Sequence, residues 1–177
     1  MKDLYARTVR SGLVALTLLT TALAVPAAAQ QPGEPAPALE VTTLEGETLT
    51  LADLEGQVVV LDFWATWCQP CLREIPDYNH IYEEYRDQGD GFSIVGLTIA
   101  SGSEQDVRDW MEEGQELAYP VAVVDDSVPQ AWGGVMVVPT TFVIGRDGKI
   151  LKRFEGATQE KLDYIRELAG ARTSGGR

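Results

Sequence analysis

The chain has 177 residues, with 27 Asp and Glu against 14 Lys and Arg and a formal net charge of −13. An acidic balance of this size argues against nucleic acid and anionic membranes as partners; it favours cationic protein surfaces, or serves solubility alone. The only two cysteines, with a single histidine at His80, are too few for a disulfide-stapled scaffold or for a four-ligand zinc site within one chain.

Residues 1–29 read as a secretory signal. Lys2, Arg7 and Arg10 precede an apolar run from Leu13 to Val25, and Ala27-Ala28-Ala29 offers a small-residue cleavage site before Gln30. The run is short for a membrane span, which takes about 20 residues. Stable membrane insertion is therefore not expected after cleavage; an uncleaved anchor is the alternative. No cysteine follows the run to carry a lipid, and no twin arginine precedes it. Export to the periplasm or the outer face of a bacterial membrane is the expectation. Loss of Lys2, Arg7, Arg10 and Asp3 takes the charge from −13 to −15.

Residues 30–37, with Pro32, Pro35 and Pro37, read as an extended lead-in. One domain is expected over residues 38–170, and a flexible tail over residues 171–177. Leu39–Leu44 and Thr48–Leu51 flank Glu45-Gly46-Glu47 as a hairpin. A short turn over Leu51–Leu54 closes at Gly56. Val58–Trp64 is a near-continuous apolar run, as in a strand covered on both faces. Cys68–Asp87 reads as a helix with a kink at Pro76, and Phe92–Thr98 as a second buried strand. Ser103 and Asp106 form a capping box for a helix to about Glu113, with Val107, Trp110 and Met111 on one face. Tyr119–Val124 is strand-like, and Ser127 is placed to cap a short helix through Trp132. Thr140–Ile144 and Lys149–Phe154 flank the turn Gly145-Arg146-Asp147-Gly148. Thr158 caps a last helix whose inner face is Leu162, Ile165, Leu168 and Ala169. Strands alternating with helices imply parallel crossovers, and the late hairpin adds an antiparallel edge. The fold class is α/β, a mixed central sheet with helices on both faces.

Trp67-Cys68-Gln69-Pro70-Cys71 carries the chemistry. A C-x-x-C between a strand and a helix is the layout of a thiol–disulfide redox centre. Cys68 falls at the helix N-terminus and Cys71 one turn further in, on one face and close enough to bridge. Unpaired N–H groups and the positive end of the dipole stabilise a thiolate on the first cysteine, lowering its pKa from about 8.5 to roughly 3.5–7.5. Pro70 suits a first helical turn, where no N–H is needed. Trp67 and Pro70 restrict access to Cys71. Cys68 is therefore assigned as the attacking sulfur and Cys71 as the resolving one. The competing reading is an inert staple, but a two-residue loop constrains an unfolded chain little. Asp62 is a carboxylate inside the apolar run Val58–Trp64, and a buried carboxylate needs a partner or a raised pKa. Glu74 lies three residues after Cys71 on the same helix face. His80, Glu83 and Glu84 read as surface groups.

Phe63-Trp64-Ala65-Thr66-Trp67-Cys68-Gln69-Pro70-Cys71 resembles the active-site segment of the thioredoxin superfamily. Leu72-Arg73-Glu74-Ile75-Pro76 is similar to its exported TlpA/ResA branch, as is Gly133-Gly134-Val135-Met136-Val137-Val138-Pro139-Thr140-Thr141-Phe142. The resemblance spans about Pro35 to Ala169. It implies a thioredoxin-like mixed sheet with an N-terminal β-hairpin and a central βα insertion. It implies a cis Val138–Pro139 bond beside the cysteine pair, with Val138 exposing backbone groups to an incoming peptide. Trp67, Pro70, Val138 and Pro139 are thus the expected substrate-binding residues. In thioredoxins the position of Asp62 holds a buried aspartate beneath the second cysteine, whereas many TlpA/ResA relatives have asparagine there. Asp62 is expected to take the proton of Cys71 during resolution. The resemblance gives Glu74 the role of tuning the pair.

The implied activity is that of an exported thiol–disulfide oxidoreductase acting as a reductant. Its substrates are protein thiols and disulfides, with apocytochromes c or copper-site proteins as family-typical clients. Its electron donor is a membrane-embedded thiol reductase. No cofactor or metal is expected; the Cys68–Cys71 couple itself carries the electrons. Two rivals share the fold. A peroxiredoxin-like thiol peroxidase places threonine three residues and proline seven residues before its cysteine, where this chain has Ala65 and Leu61, with Thr66 one place out. A Cu(I)-binding maturation factor adds a downstream histidine, and Ala100–Arg177 contains none.

Overall fold

Val58–Trp64 (β3) lies at the centre of a five-stranded sheet, and every one of its residues is buried. The computed structural model describes residues 31–88 and 91–171; the expected signal segment and tail lie outside these, apart from Ala171. A small antiparallel hairpin, Glu40–Thr42 (β1) with Thr48–Thr50 (β2), comes first, followed by a single 3-10 turn at Ala52–Leu54. After β3 come Gln69–Tyr85 (α1), Phe92–Thr98 (β4), Glu104–Glu112 (α2), Val121–Val123 (β5), Ser127–Ala131 (α3), Thr140–Ile144 (β6), Ile150–Glu155 (β7) and Gln159–Gly170 (α4). The sheet order is β5-β4-β3-β6-β7. β3, β4 and β5 are parallel, while β6 and β7 run antiparallel to their neighbours. The α2–β5 unit extends the sheet beyond β4.

Strand alternation divides the core into two layers. Val58, Val60 and Trp64 of β3 pack with Cys71, Ile75, Tyr78 and Ile81 of α1 and Leu162 and Ile165 of α4. Val59, Leu61 and Phe63 face the other way, onto Trp132, Val135, Phe142 and the hairpin residues Leu39 and Val41. Helices α1, α2 and α4 cover the first face, while the hairpin and the short α3 with the segment after it cover the second. Asp62, of even number, points into the layer that holds Cys71.

Most local expectations match. The Ser103–Asp106 capping box is formed in both directions, and the Thr158 side chain accepts from the Lys161 amide. Helix α1 is continuous from Gln69 to Tyr85, with Pro76 inside it. Two details differ. Ser127 does not cap α3: Asp126 holds the cap position, and the Asp125 side chain accepts from the Ser127 amide and hydroxyl instead. The lead-in, expected to be extended, turns at residues 31–34, where Glu34 N donates to Gln31 O at 3.1 Å, and is pinned to the β6–β7 hairpin. Gly33 N donates to Ile150 O at 2.7 Å, Ile150 N to Glu34 O at 2.9 Å and Ala36 N to Gly148 O at 2.9 Å.

Candidate active site

Cys68 and Cys71 are joined by a disulfide, with their Cα atoms 5.3 Å apart. Cys68 is the N-cap residue of α1, and its Sγ accepts a hydrogen bond from the Cys71 amide at 3.3 Å. Sulfur thus stands where a cap oxygen ordinarily does, with a helix amide directed at it. Pro70 occupies the first helical turn, so it withholds no needed donor. Both cysteines are buried to the same degree, 3% exposed. Position relative to the helix end therefore distinguishes the two sulfurs, and exposure does not.

The preceding segment is held by the loop after β4. The Thr66 amide donates to Ser101 Oγ at 3.0 Å, and Trp67 Nε1 donates to the Ala100 carbonyl at 2.8 Å. Thr98 Oγ1 donates to Ser101 Oγ at 2.7 Å, and Ser101 Oγ donates to Ile99 O. Ala100 takes a φ of +50° to present that carbonyl, a conformation a non-glycine residue adopts at a cost. The Trp67 ring, fixed at its nitrogen, stays 61% exposed. Met136 and Val137 are exposed as well, and the Val138–Pro139 peptide bond that follows is cis.

A buried polar cluster lies on the same face of the sheet as Cys71. Asp62 on β3 and Thr141 on β6 are directly opposed in the strand register, and Thr141 Oγ1 donates to Asp62 Oδ1 at 2.6 Å. Lys161 Nζ donates to Thr141 Oγ1 at 3.2 Å and to Glu74 Oε2 at 2.8 Å. The Tyr78 hydroxyl is 3.2 Å from Thr141 Oγ1. Asp62, Glu74, Thr141 and Lys161 are all buried. Burial pushes the Asp62 carboxyl up to about 7, against the opposing pull of the Lys161 charge and the Thr141 hydrogen bond. Burial also raises Glu74 above the ordinary carboxylate range, although Lys161 acts to lower it. The Tyr78 phenol is driven further up by burial and stays neutral. A carboxyl poised near neutrality on the Cys71 face is suited to exchange a proton with a thiol.

The profile of the AhpC/TSA family matches residues 32–153. The thiol-disulfide oxidoreductase ResA of Bacillus cereus (strain ATCC 10987 / NRS 248) is 35% identical over 138 residues, covering 77% of this chain and 78% of that protein. The chain belongs to the AhpC/TSA family. ResA of Bacillus subtilis (strain 168) is 33% identical over 146 residues, or 81% and 79% of the two chains. Among solved structures, a thioredoxin-family thiol:disulfide interchange protein from Chlorobium tepidum TLS aligns with a TM-score of 0.68 at 30% identity, covering 78% and 97%. With its C-x-x-C disulfide, this member of the AhpC/TSA family is a thioredoxin-like thiol–disulfide oxidoreductase.

The structure brings together the sequence-derived residues Cys68, Cys71, Pro70, Asp62 and Glu74 on one side of the sheet. Thr141, Lys161 and Tyr78 were not anticipated. Each left a signal: Thr141 is polar within the apolar strand β6, and Lys161 is basic in a helix's first turn, where a cation is disfavoured. Met136 and Val137, exposed apolar residues ahead of Pro139, were likewise missed. His80 is a surface residue 3.8 Å from Glu84 one turn on.

Proposed function

We propose that this oxidoreductase works outside the cytoplasm as a reductant of disulfides in other proteins, with Cys68 as nucleophile, Cys71 as resolving thiol and Asp62 as the base. The observation that carries the reading is the placement of Cys68 Sγ under a helix amide, on the sheet face that buries a carboxyl raised to about 7. The Cys68 thiolate attacks one sulfur of the client disulfide, forming a mixed disulfide and expelling the client's other sulfur as a thiolate. Cys71 passes its proton to Asp62 and attacks Cys68 Sγ. The Cys68–Cys71 bond forms, the mixed bond breaks, and two electrons have moved to the client. A membrane-embedded thiol reductase returns those electrons. Trp67, Val137, Val138 and Pro139 form the rim on which the client rests, as an apolar surface beside backbone groups open to strand-like pairing.

The test is the reduction potential of the couple, measured by equilibration against dithiothreitol with Trp67 fluorescence. A value well below about −220 mV supports a reductant; one near about −120 mV makes the protein an oxidant of client thiols. The location is checked by fractionating cells and identifying the N-terminal residue of the exported protein, expected at Gln30.

A further inference from the structure

Lys161 sits against two local preferences. It is 0% exposed, and lysine is almost never fully buried without a partner. It also lies in the first turn of α4, three residues after the Thr158 cap, where the helix dipole opposes a cation. Its contact with Glu74 offsets that cost, at 2.8 Å from Nζ to Oε2. An ion pair alone does not require the other contacts Lys161 makes, to Thr141 Oγ1 at 3.2 Å and over the Tyr78 ring at 5.7 Å.

The Thr141 contact fixes the direction of a hydrogen-bond chain. An ammonium only donates, while a hydroxyl has one hydrogen and two lone pairs. Lys161 occupies one lone pair of Thr141. The single Thr141 hydrogen then goes to Asp62 Oδ1, 2.6 Å away, and the Tyr78 hydroxyl donates to the remaining lone pair from 3.2 Å. When Asp62 gains a proton it can donate to Thr141, whose hydrogen turns to Tyr78. Lys161 keeps its place in both arrangements, so two hydroxyl orientations correspond to the two protonation states of Asp62.

We propose that Lys161 is a positioning residue of the redox centre: its ammonium, anchored by Glu74, aims the Thr141 hydroxyl at Asp62 and favours the carboxylate that receives the Cys71 proton. This deepens the reading of Asp62 as base and rests on it. The titratable groups acting on Asp62 are Glu74 and Tyr78 from α1, Lys161 from α4 and Tyr119 ahead of β5, with Cys71 on the same sheet face. The Asp77–Arg166 pair, 2.6 Å apart, joins the same two helices farther out.

Two readouts separate the inference from the reading beneath it. One is the titration midpoint of the Asp62 carboxyl, followed by carbon-13 resonance in the oxidised protein. The other is the pH profile for release of a mixed disulfide held on Cys68. Lys161→Met is expected to move both midpoints alkaline by about one pH unit, a tenfold change in proton affinity. Glu74→Gln removes a negative neighbour and is expected to move them in the acid direction. A purely structural role does not produce opposite displacements. The double variant Lys161→Met with Glu74→Gln removes both members of the ion pair, so neither is left as an unpaired buried charge. Its midpoint is expected to move alkaline by less than in Lys161→Met, since the lysine acts on Asp62 more strongly than the glutamate. An Asp62 midpoint unmoved in folded Lys161→Met, or in the double variant where the single one does not fold, overturns the inference. A displaced Asp62 resonance with an unmoved release profile removes Asp62 as base and leaves its control by Lys161 standing.

Discussion

Replacing Asp62 by asparagine should stabilise the oxidised protein in a strictly pH-dependent way. The carboxyl titrates near 7 in the fold against an ordinary 3.8, so the native state holds this proton more tightly than the unfolded chain. The native form is fully favoured while both states are protonated, below about pH 4, and loses stability as the pH rises from there through about 7. A displacement of roughly three pH units at about 1.36 kcal/mol each amounts to about 4 kcal/mol at pH 8. Asparagine keeps the shape and a polar contact for Thr141 but does not ionise. Urea unfolding of both proteins at pH 4, 6 and 8, with the disulfide intact, gives the difference directly. Glu74, also raised by burial, titrates in both proteins and largely cancels. The gain should be small at pH 4 and grow to about 4 kcal/mol at pH 8. A difference that is flat in pH, or that shrinks as pH rises, refutes the assignment of Asp62 as a buried carboxyl of raised pKa.

Gly96→Ala should cost about 1–3 kcal/mol in thermal or urea unfolding: a methyl there would lie 3.0 Å from Trp64 Nε1 and 3.1 Å from Tyr119 Cε2, both of them buried, and would have to displace them. Ser103→Ala removes the acceptor of the Asp106 amide and half of the α2 capping box, with an expected loss of about 1 kcal/mol by the same assay. Cys71→Ser should accumulate a mixed disulfide between Cys68 and a model disulfide substrate, seen as an added mass that a reductant removes; accumulation in Cys68→Ser instead would reverse the two sulfur roles. Trp67→Phe loses the hydrogen bond to the Ala100 carbonyl, and should slow turnover of a protein disulfide several-fold while leaving the midpoint of unfolding nearly unchanged.

The redox couple and the sheet were legible because each rests on local pattern. Val58–Trp64 is apolar apart from Asp62 since both its faces are covered, and Cys68-Gln69-Pro70-Cys71 states its helix start in its own residues. Asp62 was conspicuous for the same reason, as one polar residue among apolar neighbours. Its partners were not, because they come from strand register and helix docking: Thr141 is 79 residues away and Lys161 is 87 residues from Glu74. No periodicity within either segment connects them. The three prolines of the lead-in suggest extension, but composition does not show the turn at residues 31–34, where Glu34 N donates to Gln31 O at 3.1 Å, nor the pairing of Gly33, Glu34 and Ala36 with Gly148 and Ile150.

That pairing gives the molecule a polarity. The β6–β7 turn lies at the end of the sheet where β3 begins, since Ile144 is opposite Val59, while Cys68 follows the end where β3 stops. The chain therefore enters the domain at the pole opposite its disulfide. Gln31, the first described residue, lies on the side of the domain away from Trp67 and Met136, so a label placed there reports on the pole opposite the redox couple.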